Sequence, residues 1–234
     1  MLALAAVLTF SAAANASPIT FSTATGAVNA GGDPVSASAQ FTTGTNSLNI
    51  VVSNLLSFAQ VKDVAQDISQ LFFTLSTGQT SGSITTITGT SEAVNGSGVG
   101  GAGAAVTTAD WGLTSPAAGQ MEICVLCASG NKDYTIIGGG GIGSYPNANG
   151  SIDGNGPHNP FLVGPVTFVL NVPGVTSNTQ VSNVTFGFGT AAGNDVQGTC
   201  TTCVTQTAVP EPASLFLFGS GLALAGKRMR RRKA

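Results

Sequence analysis

Residues 161–172 read Phe-Leu-Val-Gly-Pro-Val-Thr-Phe-Val-Leu-Asn-Val and run directly into Pro173-Gly174. Val166, Phe168, Leu170 and Val172 recur at every second position, with Thr167, Val169 and Asn171 between them. A period of two places one set on one face of a pleated strand and the other set on the opposite face. The Pro-Gly pair ends the run, because proline presets φ and glycine accepts the left-handed conformation a turn requires.

The same pattern extends in both directions. Residues 19–24 and 35–41 alternate, the second with Val35, Ala37, Ala39 and Phe41 on one face, and Gly31-Gly32-Asp33-Pro34 supplies the turn between them. Residues 48–52, 84–88 and 181–188 read as further strands, and Leu71-Phe72-Phe73-Thr74-Leu75 as a buried one. Residues 121–127 and 134–137 are expected to pair around a turn at Ser129-Gly130-Asn131. Val61, Val64 and Ile68 are instead spaced for one short helix. Residues 92–105 read as a glycine-rich loop or weak hairpin, 138–160 as a long polar loop, and 193–207 as a threonine-rich exit. Short strands punctuated by Gly, Pro and Asn predict an all-β domain, an antiparallel β-sandwich or jelly-roll-like arrangement. Trp111, the one tryptophan, fits a core or edge anchor better than a sugar-stacking platform.

Charge is unevenly placed. Residues 17–209 carry nine acids against Lys62 and Lys132, a net of −7, whereas six of the eight basic residues stand in the last eight positions. An acidic domain with two cations lacks the phosphate contacts on which nucleic-acid binding depends, so that class is excluded. The charged fraction of 8% is far below the roughly 25% of ordinary globular chains. Abundant Val, Ile and Phe in alternation still argue for a folded sheet.

Cysteines stand as Cys124-x-x-Cys127 and Cys200-x-x-Cys203. Two such pairs suit a four-thiolate zinc site, but 72 residues separate them, far beyond the roughly 15–20 of a zinc ribbon. Disulfides are the favoured reading for an exported chain. Pairing within each motif and pairing between them both remain open. A thioredoxin-like role is weaker, since Ile123, Val125 and Leu126 put Cys124 on a strand rather than at a helix start.

Catalytic patterns are thin. G-x-G-x-x-G occurs at Gly138, Gly140 and Gly143 and at Gly96, Gly98 and Gly101, in neither case between a strand and a helix, so both read as flexible loops. Glu92 and Glu122 are the one pair of glutamates before residue 209 that could serve a glycosidase. One lies in a glycine-rich segment and the other beside an expected disulfide. His158, the single histidine, has no Gly-x-Ser-x-Gly elbow to partner it. Asn149, Asp153 and Asn155 form an oxygen-rich loop that could take calcium or a ligand, although Pro157 excludes an EF-hand. Asn95-Gly96-Ser97, Asn149-Gly150-Ser151 and Asn183-Val184-Thr185 match the N-glycosylation pattern. No resident cofactor or metal is expected beyond that calcium option, and no enzymatic activity.

The two ends read as addresses. Residues 2–10 are an apolar run, and Ala14-Asn15-Ala16 offers the small-x-small pattern cut by signal peptidase, which makes 1–16 a signal peptide and Ser17 the mature start. No Lys or Arg precedes the run. At the other end, residues 209–234 consist of Val209-Pro210-Glu211-Pro212, an uncharged stretch at 213–226, and a tail containing Lys227, Arg228, Arg230, Arg231, Arg232 and Lys233. The uncharged stretch is about 21 Å long as a helix, short against a bilayer core of about 30 Å. The basic flank nevertheless gives it a cytoplasmic side and marks it as a membrane helix.

These residues resemble the PEP-CTERM sorting signal of Gram-negative bacterial surface proteins. The three parts agree in order, spacing and terminal position, over about a ninth of the chain. The resemblance implies recognition of Pro210, Glu211 and Pro212 by a membrane-embedded exosortase and cleavage near them. A precursor anchored in the inner membrane would then reach the cell surface or the medium, often alongside exopolysaccharide or biofilm matrix. The expected organisation is therefore 1–16 signal peptide, 17–208 β ectodomain and 209–234 sorting signal. Two functions follow: a structural or interaction protein of the surface or matrix, or a carbohydrate- or calcium-binding lectin-like module.

Overall fold

The computed structural model describes residues 16–107, 109–127 and 132–203. The signal peptide, the turn at 129–131, the Pro-Glu-Pro motif, the 213–226 stretch and the basic tail lie outside the described residues.

Among the described residues eleven strands form one antiparallel sheet. They are β1 (Ile19–Thr23), β2 (Ala37–Gly44), β3 (Ser47–Asn54), β4 (Ile68–Leu75), β5 (Ser83–Glu92), β6 (Ala104–Val106), β7 (Gly112–Thr114), β8 (Gln120–Cys124), β9 (Phe161–Asn171), β10 (Val181–Phe188) and β11 (Asp195–Cys200). Their order across the sheet is β6-β5-β9-β3-β2-β1-β11-β10-β4-β8-β7. The sheet curls so that its two halves face each other. Phe41 on β2 packs against Phe73 on β4 at 5.4 Å, although four hydrogen-bonded steps separate those strands. Trp111, just before β7, packs against Phe168 on β9 at 4.9 Å and donates its Nε1–H to the Tyr134 carbonyl. It is the core anchor expected. The two packed layers of a sandwich are thus halves of one continuous ladder rather than two separate sheets.

Alternation explains the strands. Val35, Ala37, Ala39 and Phe41 are all buried, as are Val166, Phe168, Leu170 and Val172. The residues between them face outward as hydroxyls, amides or valines, so the register is fixed by which set enters the core. The short helix reduces to one 3-10 turn, Val64–Gln66, capped by the Asp63 carboxylate and the Gln66 side chain. Ile68, expected on that helix, opens β4 instead. Residues 134–137 do not pair with β8. Ile136 makes single bridges to Ile68 and Leu162, while β8 lies between β4 and β7. The threonine-rich exit contains β11, a strand the spacing did not predict.

β11 fills the centre of the sheet, between β1 and β10. Phe21 stands opposite Cys200, and Thr20 exchanges hydrogen bonds with Thr201 and Thr202. Both chain ends of the domain therefore emerge together. Short turns at 45–46, 76–82, 115–119 and 172–180 share that end of the sheet. The long connections at 24–36, 55–67, 93–103, 125–160 and 189–194 gather at the opposite end as a cap. The cap has its own small core of Leu56, Val61, Val94, Tyr145, Ile152 and Phe161 among others.

A chain ending at Gly193 leaves the facing edges of β1 and β10 unpaired. It is expected to lose the near-ultraviolet signal of Trp111 and its cooperative unfolding, both of which a chain ending at Cys203 keeps. Circular dichroism and urea titration of the two chains check this; equal cooperativity would refute the closing role of β11.

Candidate functional site

The chemistry-bearing side chains collect in the cap. Glu92 ends β5 and is only 1% exposed. Its Oε1 accepts the Gly143 N–H at 2.8 Å and its Oε2 accepts the Tyr145 hydroxyl at 2.7 Å. Tyr145 packs edge-on against Phe58 at 5.3 Å. A Cβ on Gly100 would occupy the space of the Glu92 carboxylate, and one on Gly139 or Gly143 would run into the Phe58 ring. The two glycine-rich stretches are loops, as expected, but Gly98, Gly100, Gly138, Gly139 and Gly143 within them serve close approach, while Gly96, Gly140 and Gly141 face open space. Burial pushes the Glu92 carboxyl above its usual range, with the two hydrogen bonds pulling partly back. Burial and the neighbouring Glu92 push the Tyr145 hydroxyl far up, with Asp67 adding to the effect.

Asp67 follows the 3-10 turn and is fully buried. Thr135 donates its hydroxyl to Oδ2 at 3.1 Å, while Oδ1 has no hydrogen-bond partner. Burial holds this carboxyl well above the ordinary range, with Asp63 adding to the rise and Thr135 opposing it. Around it, Asn54 donates to the carbonyls of Gln66 and Ile136, and Gln66 donates to that of Pro34. These bonds tie three of the cap loops to one another and to the end of β3.

A second acidic place lies on the outward face, where β8, β4, β10 and β11 run side by side. Gln70 stands opposite Cys124 on one side and Gly187 on the other, and Gly187 stands opposite Asp195. Gln70 donates to Glu122 Oε1 at 2.5 Å, and its own Oε1 is buried without a partner. Burial raises the Glu122 carboxyl, and the nearby Asp195 raises it further. Asp195 is itself raised by desolvation. The sequence named Glu122 but gave no sign of Gln70 or Asp195, because their meeting depends on β11 entering the sheet. Glu92 and Glu122 are not brought together: one is held by Tyr145, the other by Gln70.

The 147–159 loop spends most of its polar groups on itself. Asn149 Oδ1 accepts the Ser151 N–H at 2.8 Å, Asn155 donates to the Gly150 carbonyl, and His158 Nδ1 lies 2.9 Å from the Ser151 carbonyl. Asp153 differs, with Oδ1 buried beside Gly98 and without a hydrogen-bond partner. Among the described residues no three His, Cys, Asp or Glu side chains are grouped to hold a metal. Cys124 and Cys127 form a disulfide with each other, and Cys200 and Cys203 are disulfide-bonded as well. No cysteine is left free as a zinc ligand, and Cys124 is not cross-linked to the second motif.

Pro210, Glu211 and Pro212 lie outside the described residues, yet they fall within residues 208–233, which match the PEP-CTERM protein-sorting motif. The chain carries a PEP-CTERM sorting motif. No curated protein and no solved structure matches the chain. The motif accounts for the C-terminal part of the chain alone. Among the described residues no helix is long and apolar enough to cross a membrane.

Among the described residues five carboxyls are pushed up by burial: Asp67, Glu92, Glu122, Asp133 and Asp195. A raised carboxyl keeps its proton in the folded state where the unfolded chain has lost it. Its contribution is full below the unfolded range and is lost as pH rises through the folded value. The thermal midpoint is therefore expected to be highest near about pH 4, the ordinary carboxylate range, and to fall toward pH 8. Asp67→Asn should flatten that slope and raise the midpoint at pH 8; a midpoint that climbs with pH contradicts the reading. Tyr145→Phe leaves Glu92 Oε2 buried without its donor and should cost about 1–3 kcal/mol by urea titration.

Proposed function

We propose that this protein is an exported surface or extracellular-matrix protein, held first as an inner-membrane-anchored precursor and then sorted and cleaved by an exosortase, with signal peptidase acting at the other end. Its role is structural or interactive rather than catalytic and is linked to exopolysaccharide or biofilm. The observation that carries the reading is the match of residues 208–233 to the PEP-CTERM sorting motif, joined to an acidic β domain rich in hydroxyl and amide side chains. The internal hydrogen bonding of Glu92 and Glu122 supports the non-catalytic part, since each carboxylate is committed to a neighbour within the fold. Disulfides in both motifs suit an oxidising destination.

Replacing Pro210, Glu211 and Pro212 with alanine in the native host is expected to leave the Arg tail attached and the protein in the membrane fraction. Processing and surface yield equal to the unaltered chain would overturn the sorting step.

One observation favours a second reading, a calcium- or carbohydrate-binding lectin-like module. Asp153 Oδ1 is buried without a hydrogen-bond partner in the loop where oxygen ligands were expected. Calorimetric titration with calcium decides it. Heat of binding that disappears in Asp153→Asn supports the module; silence in both proteins removes it.

A further inference from the structure

Gly187 lies inside β10, where its φ is not positive and no turn calls for glycine. A glycine in a strand interior marks a place that something else approaches closely. The position that a Cβ would fill there is 2.8 Å from Gln70 Cβ, 3.0 Å from Gln70 Oε1 and 3.2 Å from Asp195 Oδ1. Two oxygens, one from β4 and one from β11, thus converge over the missing side chain of the strand between them. Both are acceptors, so neither can satisfy the other.

Gln70 is held in this posture by its neighbours. Its Nε2 donates to Glu122 Oε1 at 2.5 Å, which leaves its own Oε1 turned toward Gly187. β4 carries a bulge at this level: Gln70 stands opposite Gly187 and Ile68 opposite Phe188, so Ser69 is the extra residue. Bulges re-aim side chains, and here the Ser69 hydroxyl donates to the Gly187 carbonyl at 3.5 Å. Gln70 is only 6% exposed, and its Oε1 has no hydrogen-bond partner, a costly state for a buried amide oxygen. Glu122 and Asp195 stand near enough for the charge of one to raise the carboxyl of the other. One cation answers the orphan oxygen and the two acids together.

We propose that Gln70 and Asp195, with Glu122 orienting the Gln70 amide, form a calcium site on the outward face of the sheet. Gln70 Oε1 and the Asp195 carboxylate are its protein ligands, and water completes the shell. A donor set of oxygen alone suits calcium or magnesium rather than a softer ion. Calcium is the better fit, because it accepts irregular shells at about 2.3–2.6 Å, whereas magnesium demands a near-ideal octahedron at about 2.0–2.1 Å. Asp195 is exposed, so an ion arrives from solvent and the side chain can swing to admit it. The site links β4 to β11 across β10, and calcium therefore favours the strand that closes the sheet. All its ligands belong to the β domain, and none comes from the loop around Asp153.

The test titrates calcium chloride into the full-length chain carrying Asp153→Asn, so that the 147–159 loop adds no heat of its own. The expected result is one equivalent bound with a dissociation constant of about 0.1–1 mM, the range of weak extracellular calcium modules. At ten times that concentration the thermal midpoint should rise by about 3–6 °C, and magnesium should raise it less. Adding Asp195→Asn should weaken calcium binding at least tenfold while leaving the calcium-free midpoint equal or higher, since it removes an acid that opposes its neighbour. Gly187→Ala places a methyl group in the open position and should abolish binding. The near-ultraviolet signal of Trp111 shows whether that chain folds, and Asp195→Asn carries the test where it does not. No binding in Asp153→Asn, or binding that Asp195→Asn leaves intact, overturns the site; an equal rise with magnesium overturns calcium as its ion. The loop around Asp153 is judged separately, by the difference between the unaltered chain and Asp153→Asn.

Discussion

The structure depends on one pairing, that of the first strand with the last. β11 enters the middle of the sheet between β1 and β10, so the two halves of the curl are joined by the segments most distant in sequence. Without that join Phe21, Phe41 and Phe73 would have no closed surface to bury against. Pairing so non-local forms late, since loop closure must precede its reward. For an exported chain this means that the fold is complete only when residues up to Cys200 have crossed the membrane. The same join sets the direction of everything else, with both ends on one side and every long connection on the other.

Those long connections are held by buried polar groups as well as by the small apolar core of the cap. Glu92, Tyr145, Asp67, Thr135, Asn54 and Gln66 connect loops that are far apart in sequence through short side-chain bonds. Unpaired polar groups are costly in a low-dielectric interior, so such bonds specify one arrangement of the cap. The cost appears as carboxyls pushed upward. It makes a protein whose cap is most secure where those carboxyls keep their protons.

Much of this was legible in the sequence where a side chain is large and apolar. β9 and β2 were readable because Val166, Phe168 and Leu170, or Ala37, Ala39 and Phe41, declare their face. β11 was not, because Asp195-Val196-Gln197-Gly198-Thr199-Cys200 presents a single fully buried residue, Gly198, which makes room for the Phe186 ring. The helical spacing of Val61, Val64 and Ile68 arose from a loop that turns once and then enters a strand. Ile136 and Ile137 are buried because this segment plugs the gap between β4 and β9, a use that local pattern cannot separate from a strand. The cap site was half legible. Glu92 and Asp153 could be named as candidates, but Asp67 and Gln70 gain their meaning only from burial and from neighbours brought by topology.

The sorting motif, the closing strand and the disulfides fit one sequence of events: translocation, closure by the last strand, and processing at the sorting motif. Mass spectrometry of the protein recovered from the surface and medium of its native host, intact and after non-reducing digestion, tests this most directly. The account predicts a chain that begins at Ser17, ends near residues 210–212 and yields a peptide in which Cys124 is bonded to Cys127. A recovered chain that still carries Arg228 to Arg232 and has free thiols would contradict it.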